Sequence, residues 1–188
     1  MIKAFLTSFQ VLTSDEISQF ESLLVKRHLK KGAFFISEGK FSKEVAFINT
    51  GILRSFYTTE SGEEMTYCIS FPNALMTAYS AFITGMPTIE NIQAIADSEL
   101  LIIQKHDIDK LQESSPNWIR FSKIIAELQY LELEKRLFVF QKDKAKKRYI
   151  DLLENQPDYV QQIPLQYLAS YLGITPRHLS RLRKEIQY

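Results

Sequence analysis

The apolar residues of this chain change period once, and that change limits what it can fold into. Between residues 33 and 103 they come in short β-branched and aromatic runs: 33–36, 45–48, 52–57, 65–69, 89–96 and 100–103. Turn formers separate them at Lys31-Gly32, Glu38-Gly39-Lys40, Asn49-Thr50-Gly51, Ser61-Gly62 and Phe71-Pro72-Asn73. Short strands punctuated in this way imply an antiparallel barrel or sandwich rather than a parallel sheet. Beyond residue 117 the spacing lengthens. Phe121, Ile124, Leu128 and Leu131 recur at three and four residues, with Trp118, Ile125 and Leu137-Phe138 widening the apolar surface. This predicts a long helix over about 117–140 with no Gly or Pro inside. The expected class is α+β.

A shorter amphipathic helix is predicted over 14–27, with Ser14-Asp15-Glu16 as a cap-like start and Ile17, Phe20, Leu23 and Leu24 on its inner face. At 188 residues the chain can form one large domain or two small ones with an adequate core. Its single cysteine, Cys68, excludes an internal disulfide and a four-thiolate zinc or iron–sulfur site, and fits a reducing compartment. No run of 18 apolar residues or signal-like leader is present, so a soluble cytoplasmic protein without membrane contact is expected. The helix at 117–140 is wide enough to lie on its own barrel and also meet a second copy, with Phe121, Ile124, Leu128 and Leu131 as the seam. A single buried helix in a monomer would also produce that spacing.

The net charge of +1 is unevenly spread. From Lys135 onward, eleven Lys and Arg stand against five Asp and Glu, while residues 1–134 hold twelve basic and seventeen acidic side chains. A basic end on a near-neutral protein suggests a polyanion partner, although a solvated charged helix has the same composition. The text LQYLASYLGITPRHLSRLRK at 165–184 is more specific. Leu168, Ala169 and Leu172 form the inner face of one helix, Gly173 suits a left-handed turn, and Ile174 fills the space between helices. Thr175-Pro176 supplies an N-cap and a first helical residue, and Leu179 and Leu182 form the inner stripe of a second helix. Arg177, His178, Ser180, Arg181, Arg183 and Lys184 are left on its outer surface. A capped, basic second helix is the layout that presents its first residues to the DNA major groove.

The order of barrel, long helix and C-terminal helix pair resembles the cyclic-AMP receptor and fumarate–nitrate regulator (Crp/Fnr) superfamily of bacterial transcription factors. The strand–glycine–strand–glycine text Phe34-Phe35-Ile36-Ser37-Glu38-Gly39 and Val45-Ala46-Phe47-Ile48-Asn49-Thr50-Gly51 is similar to that family's signature. The resemblance implies an N-terminal antiparallel β-roll or jelly roll over 1–112, a dimerisation helix over 113–142 and a helix-turn-helix over 143–188. It places base reading on Pro176, Arg177 and Arg181, beside His178 and Ser180, with Arg183 and Lys184 toward phosphates. Pro176 departs from the family's polar reader and could offer only an apolar contact. The sequence ends at Tyr188, so the usual β-hairpin wing is expected to be missing. Double-stranded DNA, a second copy of the chain and RNA polymerase are the implied partners.

In cyclic-nucleotide-binding relatives a Gly-Glu pair and an Arg-Ser pair hold the ligand, because a buried phosphate must be paired. Aligning on Phe82 and Gly85 puts those pairs at Thr77-Ala78 and Thr88-Ile89, with Tyr79 adjoining, and none is kept. Between Lys43 and Lys105 the only basic residue is Arg54. The expected effector pocket is therefore degenerate, its ligand unknown and no cofactor or metal implied. His28 and His106 are too isolated for haem or a cupin metal site, and no nucleophilic triad, P-loop or paired-carboxylate spacing stands out. A DNA-binding regulator rather than an enzyme is expected. The rival is a small-ligand sensor or interaction module with a vestigial helix-turn-helix.

Overall fold

The computed structural model describes residues 1–186. The chain opens with α1 (Ile2–Ser8) and α2 (Ser14–Ser22), then β1 (Val25–Leu29), β2 (Phe34–Ile36), β3 (Glu44–Thr50), β4 (Leu53–Thr58), β5 (Glu64–Ser70) and β6 (Leu75–Met76). After α3 (Tyr79–Thr84) come β7 (Asn91–Ala94) and β8 (Ser98–Gln104). The remaining elements of the described residues are helices: α4 (Lys105–Ser114), the long α5 (Pro116–Lys142), α6 (Ala145–Asn155), α7 (Pro157–Gln162), α8 (Leu165–Tyr171) and α9 (Pro176–Ile186). The strands pair antiparallel in two four-stranded sheets, ordered β1-β8-β3-β6 and β2-β7-β4-β5. The chain is thus α+β, with antiparallel sheets and one long helix.

Side-chain alternation along β3 explains the layering. Ala46 and Ile48 pack with Leu53 of β4, Ile92 of β7 and Leu100 and Ile102 of β8, in a core drawn from both sheets. Val45 and Phe47 belong to a second core, where Ile2, Leu6, Ile17, Phe20, Leu111, Trp118 and Phe121 bring α1, α2, α4 and the start of α5 onto β3 and β8. Phe20 and Trp118 stack there with ring centroids 5.4 Å apart. A reciprocal capping box between Thr13 and Glu16 starts α2, and the Glu16 carboxylate also accepts the Asn117 amide of α5. A third core crosses from strands to tail: Ile52, Ile69 and Ile95 pack with Tyr149, Leu152, Ile163, Leu168, Leu172, Leu179 and Leu182.

Several expectations need correction. The helix predicted over 14–27 ends at Ser22, and Val25–Leu29 instead pair with β8 from Val25↔Ile102 to Leu29↔Ser98. Leu23 and Leu24 continue a helical spacing, but the hydrogen-bonding edge of β8 decides the conformation beyond them, as tertiary pairing often does for short strands. The run at 89–96 contracts to Asn91–Ala94, with Ile89 81% exposed. Helices α1, α3 and α4 and the two-residue β6 had not been expected. Phe121, expected to face a partner chain, is only 6% exposed and meets Phe9 edge-on at 5.2 Å. It belongs to the chain's own core because the unforeseen α1 and the loop after it cover that part of α5. The missing wing was inferred from the end at Tyr188, and Gln187 and Tyr188 lie outside the described residues.

Candidate nucleic-acid interface

Helices α8 and α9 pack as a tight pair through Leu168, Ala169, Leu172, Leu179 and Leu182, all at 4% exposure or less. Gly173 joins them at φ +66°, a region costly for any residue with a Cβ, and an added Cβ would also lie 2.8 Å from the Phe140 ring. The Gly173 and Ile174 N–H groups donate to the Ser170 and Ala169 carbonyls and close the turn. The Thr175 hydroxyl accepts the His178 N–H at 3.2 Å, an N-cap, with Pro176 at the first helical position.

The outward side chains of α9 differ in how they are held. Pro176, Arg177, Arg181 and Lys184 are exposed, and His178 and Ser180 are half-buried. Glu185 stands between Arg181 Nε and Lys146 Nζ of α6, 3.8 Å from each. Arg183 leans the other way: its Nη2 points to the Val160 carbonyl of α7 at 3.5 Å, and its Nε is buried without an acceptor. The solvent-facing basic set is therefore Arg177, Arg181 and Lys184. A capped N-terminus and exposed Arg and Lys suit a phosphate-lined groove.

The C-terminal carbonyls of α8 are capped from neighbouring helices. Arg136 of α5 donates to the Tyr171 carbonyl at 2.9 Å, and Arg148 of α6 donates to the Leu172 carbonyl at 2.8 Å. The Phe140 ring lies 4.7 Å from the Arg136 guanidinium carbon and 4.6 Å from that of Arg148, while also filling the space beside Gly173. Sequence reading singled out none of these three residues, because nothing local in a lysine- and arginine-rich stretch distinguishes a capping guanidinium from a solvated one. Along α5, Leu128 and Leu131 are exposed, Ile124 is half-buried, and Phe138 resumes the apolar stripe.

The segment aligned with a nucleotide cassette leads into and follows α3. Thr77 Oγ1 donates to the Glu44 carbonyl and lies 2.8 Å from Ser42 Oγ; Ala78 is fully buried and Tyr79 exposed. Thr88 is buried and its hydroxyl accepts the Glu90 N–H, whereas Ile89 points to solvent. Tyr67 donates to the Glu90 carboxylate; burial, with that hydrogen bond working against it, raises the carboxyl above its usual range. Lys105 lies over the Phe82 ring and pairs with Asp109 at 3.3 Å. The segment thus brings together hydroxyls and a carboxylate, with no arginine among them. Burial pushes the Cys68 thiol up, away from reactivity. Among the described residues no three His, Cys, Asp or Glu side chains group as metal ligands, and no helix is long and apolar enough to cross a membrane.

Comparison with known proteins places this geometry. The cyclic nucleotide-binding domain family matches residues 26–115. The anaerobic regulatory protein of Bacillus subtilis (strain 168) is 23% identical over 100 residues, covering 53% of this chain and 42% of that protein, so the match spans less than half of the relative's length. FixK2 from Bradyrhizobium japonicum superposes with a TM-score of 0.76 at 15% identity, over 87% of this chain and 84% of its own. A protein assigned to the crp/fnr family of transcriptional regulators, from Eubacterium rectale, gives 0.73 at 17% identity over 95% and 85%. At these identities the superpositions establish the fold.

Proposed function

We propose that the chain, whose residues 26–115 match the cyclic nucleotide-binding domain family and whose fold is that of FixK2 and the crp/fnr-family structure, is a homodimeric DNA-binding transcriptional regulator of the Crp/Fnr type. The observation that carries the reading is the outer face of α9, where Arg177, Arg181 and Lys184 stand exposed on a helix capped by Thr175. In this reading α8–α9 is the helix-turn-helix of a unit at 143–188. Pro176, Arg177 and Arg181 face base edges, with His178 and Ser180 beside them, and Lys184 meets phosphate. Residues 113–142 dimerise through Ile124, Leu128 and Leu131. RNA polymerase is the further partner and the cytoplasm the compartment.

The sheet domain, roughly 1–112, acts as a scaffold or sensor that does not take cyclic AMP or cyclic GMP. Thr77, Ala78, Tyr79, Thr88 and Ile89 provide no cation, and a buried cyclic phosphate needs one. Fluorescence anisotropy of labelled duplex DNA at two salt concentrations tests the DNA reading: the expected result is binding that weakens steeply with salt. Absence of salt-dependent binding overturns it. Calorimetry with either cyclic nucleotide at millimolar concentration should give no binding heat, and a micromolar Kd would reject the degenerate sensor.

A further inference from the structure

Arg54 is a buried guanidinium that belongs neither to the α9 face nor to the effector segment. It lies on β4, only 2% exposed, with its guanidinium carbon 3.9 Å from the Phe56 ring centroid and 3.8 Å from that of Tyr167 on α8. Its Nη2 donates to Glu64 at 2.5 Å and to Gln93 at 2.8 Å, its Nε to Gln93 at 3.2 Å and its Nη1 to Thr66 at 3.4 Å. Beside it, Ser170 of α8 bonds the free edge of β5: its hydroxyl accepts the Thr66 N–H and donates to the Glu64 carbonyl, each at 2.8 Å. Helix α8 is therefore seated on the sheet by Tyr167 and Ser170, while Arg136 and Arg148 hold its C-terminal end.

Burying a guanidinium is a poor route to stability, because desolvation offsets most of what pairing returns. What a fixed fork of donors does supply is direction. Helix α9 is joined to α8 by a shared apolar core and a closed turn, so whatever orients α8 orients α9. A dimer on DNA must present its two recognition helices about one helical turn apart, near 34 Å. We propose that Arg54 and Ser170 are positioning residues for DNA recognition: they seat the α8–α9 pair on the sheet domain and so set the spacing between the two recognition helices of the dimer. This rests on the functional reading above, and extends it by making the sheet a direct determinant of which half-site spacing is accepted.

The test uses the full-length dimer and an operator selected with the wild type from a random duplex library. Arg54→Met keeps the packing between the two rings and removes the fork, with Glu64 free to hydrate from its exposed side; Ser170→Ala removes the edge contact, and carries the test alone if Arg54→Met does not fold. Both should leave half-site affinity within about twofold while lowering full-site affinity at least about tenfold, because the second half-site is bound intramolecularly and depends on geometry. Both should also accept duplexes whose half-sites are one or two base pairs closer or farther apart. Spin labels at Lys184→Cys in a Cys68→Ser background should give a broader inter-protomer distance distribution in each variant without DNA. Parallel loss of half-site and full-site affinity, or an unchanged spacing preference and distance distribution, overturns the proposal. If the wild type binds no duplex, the functional reading fails separately and the distance distribution alone decides the seat, broadening supporting it and no change rejecting it.

Discussion

Three basic side chains within one turn of α9 carry three different expectations. Arg181 is exposed at the proposed reading position, Lys184 is exposed nearer the helix end, and Arg183 is folded onto α7. A bidentate arginine contact to guanine discriminates by about 1–3 kcal/mol, whereas a phosphate contact strengthens binding to every sequence alike. Arg181→Ala should therefore lower affinity for the cognate site more than for a scrambled duplex, and Lys184→Ala should weaken both equally and flatten the salt slope by about one. Arg183→Ala should leave the salt slope unchanged and lower the Tm. Titrations across a salt series separate the three, and an equal loss on both duplexes for Arg181→Ala would reassign base reading to Arg177 or His178. Acid stability is also set residue by residue. Burial alone would lift the Glu44 carboxyl, but the paired hydrogen bonds and charge of Arg27, with the Gln104 amide, outweigh it and hold the group below its ordinary 4.5. A carboxylate held below its unfolded value stabilises the fold above that value, and the contribution is lost as pH falls through the lower folded one. Glu44→Gln should thus lower Tm near neutrality and decline less steeply than the wild type between about pH 5 and pH 3. A parallel decline would mean that this pair does not shape the acid limb.

At the scale of elements, α5 divides into a start that packs in the core with α1 and α2 and a later stretch whose apolar stripe stays exposed. Trp118 and Phe121 are buried against α1 and α2, while Leu128, Leu131 and Phe138 remain exposed beyond them. Leu128→Glu should leave the folded chain intact, since Leu128 is 45% exposed, and weaken dimerisation by on the order of 3 kcal/mol, roughly a hundredfold in Kd. Sedimentation equilibrium reads this directly, and an unchanged dimer would move the interface off this stripe. Phe121→Ala should instead cost about 3–5 kcal/mol of folding stability. That division was invisible in the spacing alone, because Phe121, Ile124, Leu128 and Leu131 follow one repeat and only the presence of α1 separates the first from the others. What was legible depended on local chemistry. The paired helices at 165–184 could be read because a left-handed Gly173, a Thr175 cap and an inner leucine stripe are each specified within a few residues. The strands at 45–48, 52–57 and 65–69 could be read because β-branched runs were bounded by turn residues. β1 was lost to an adjoining helical spacing, and β6 is too short to carry a period. Arg54 offered a clue in being a lone charge within an apolar strand run, but its partner Tyr167 lies in a distant segment and only the packed fold brings the two together.

At the scale of the whole molecule, the sheets and the tail are not separable units. Ile52, Ile69 and Ile95 of the sheet domain share one core with Tyr149, Leu152, Ile163, Leu168 and Leu179 of the tail, and Tyr159 Oη donates to the Ile69 carbonyl at 2.9 Å. Burial raises the Tyr159 phenol above its ordinary value. A tail sharing its core with the sheets has no reason to melt first, and the proposed boundary at residue 142 does not coincide with a break in the core. The consequence can be measured through two probes at opposite ends. Trp118, the only tryptophan, sits in the α1–α2 core away from α8, whereas much of the helical signal in far-ultraviolet circular dichroism comes from α5 to α9. Leu168 is fully buried in the shared core, and Leu168→Ala should cost about 2–5 kcal/mol. For a domain of this size that corresponds to a fall in Tm on the order of 10 °C. If the molecule folds as one cooperative unit, Trp118 fluorescence and circular dichroism should report the same lowered midpoint, although the substitution lies in the tail and the fluorophore does not touch it. A Trp118 transition left at the wild-type temperature while the helical signal melts early would show the tail unfolding alone. The sheet contact would then be too weak to set the orientation of α9.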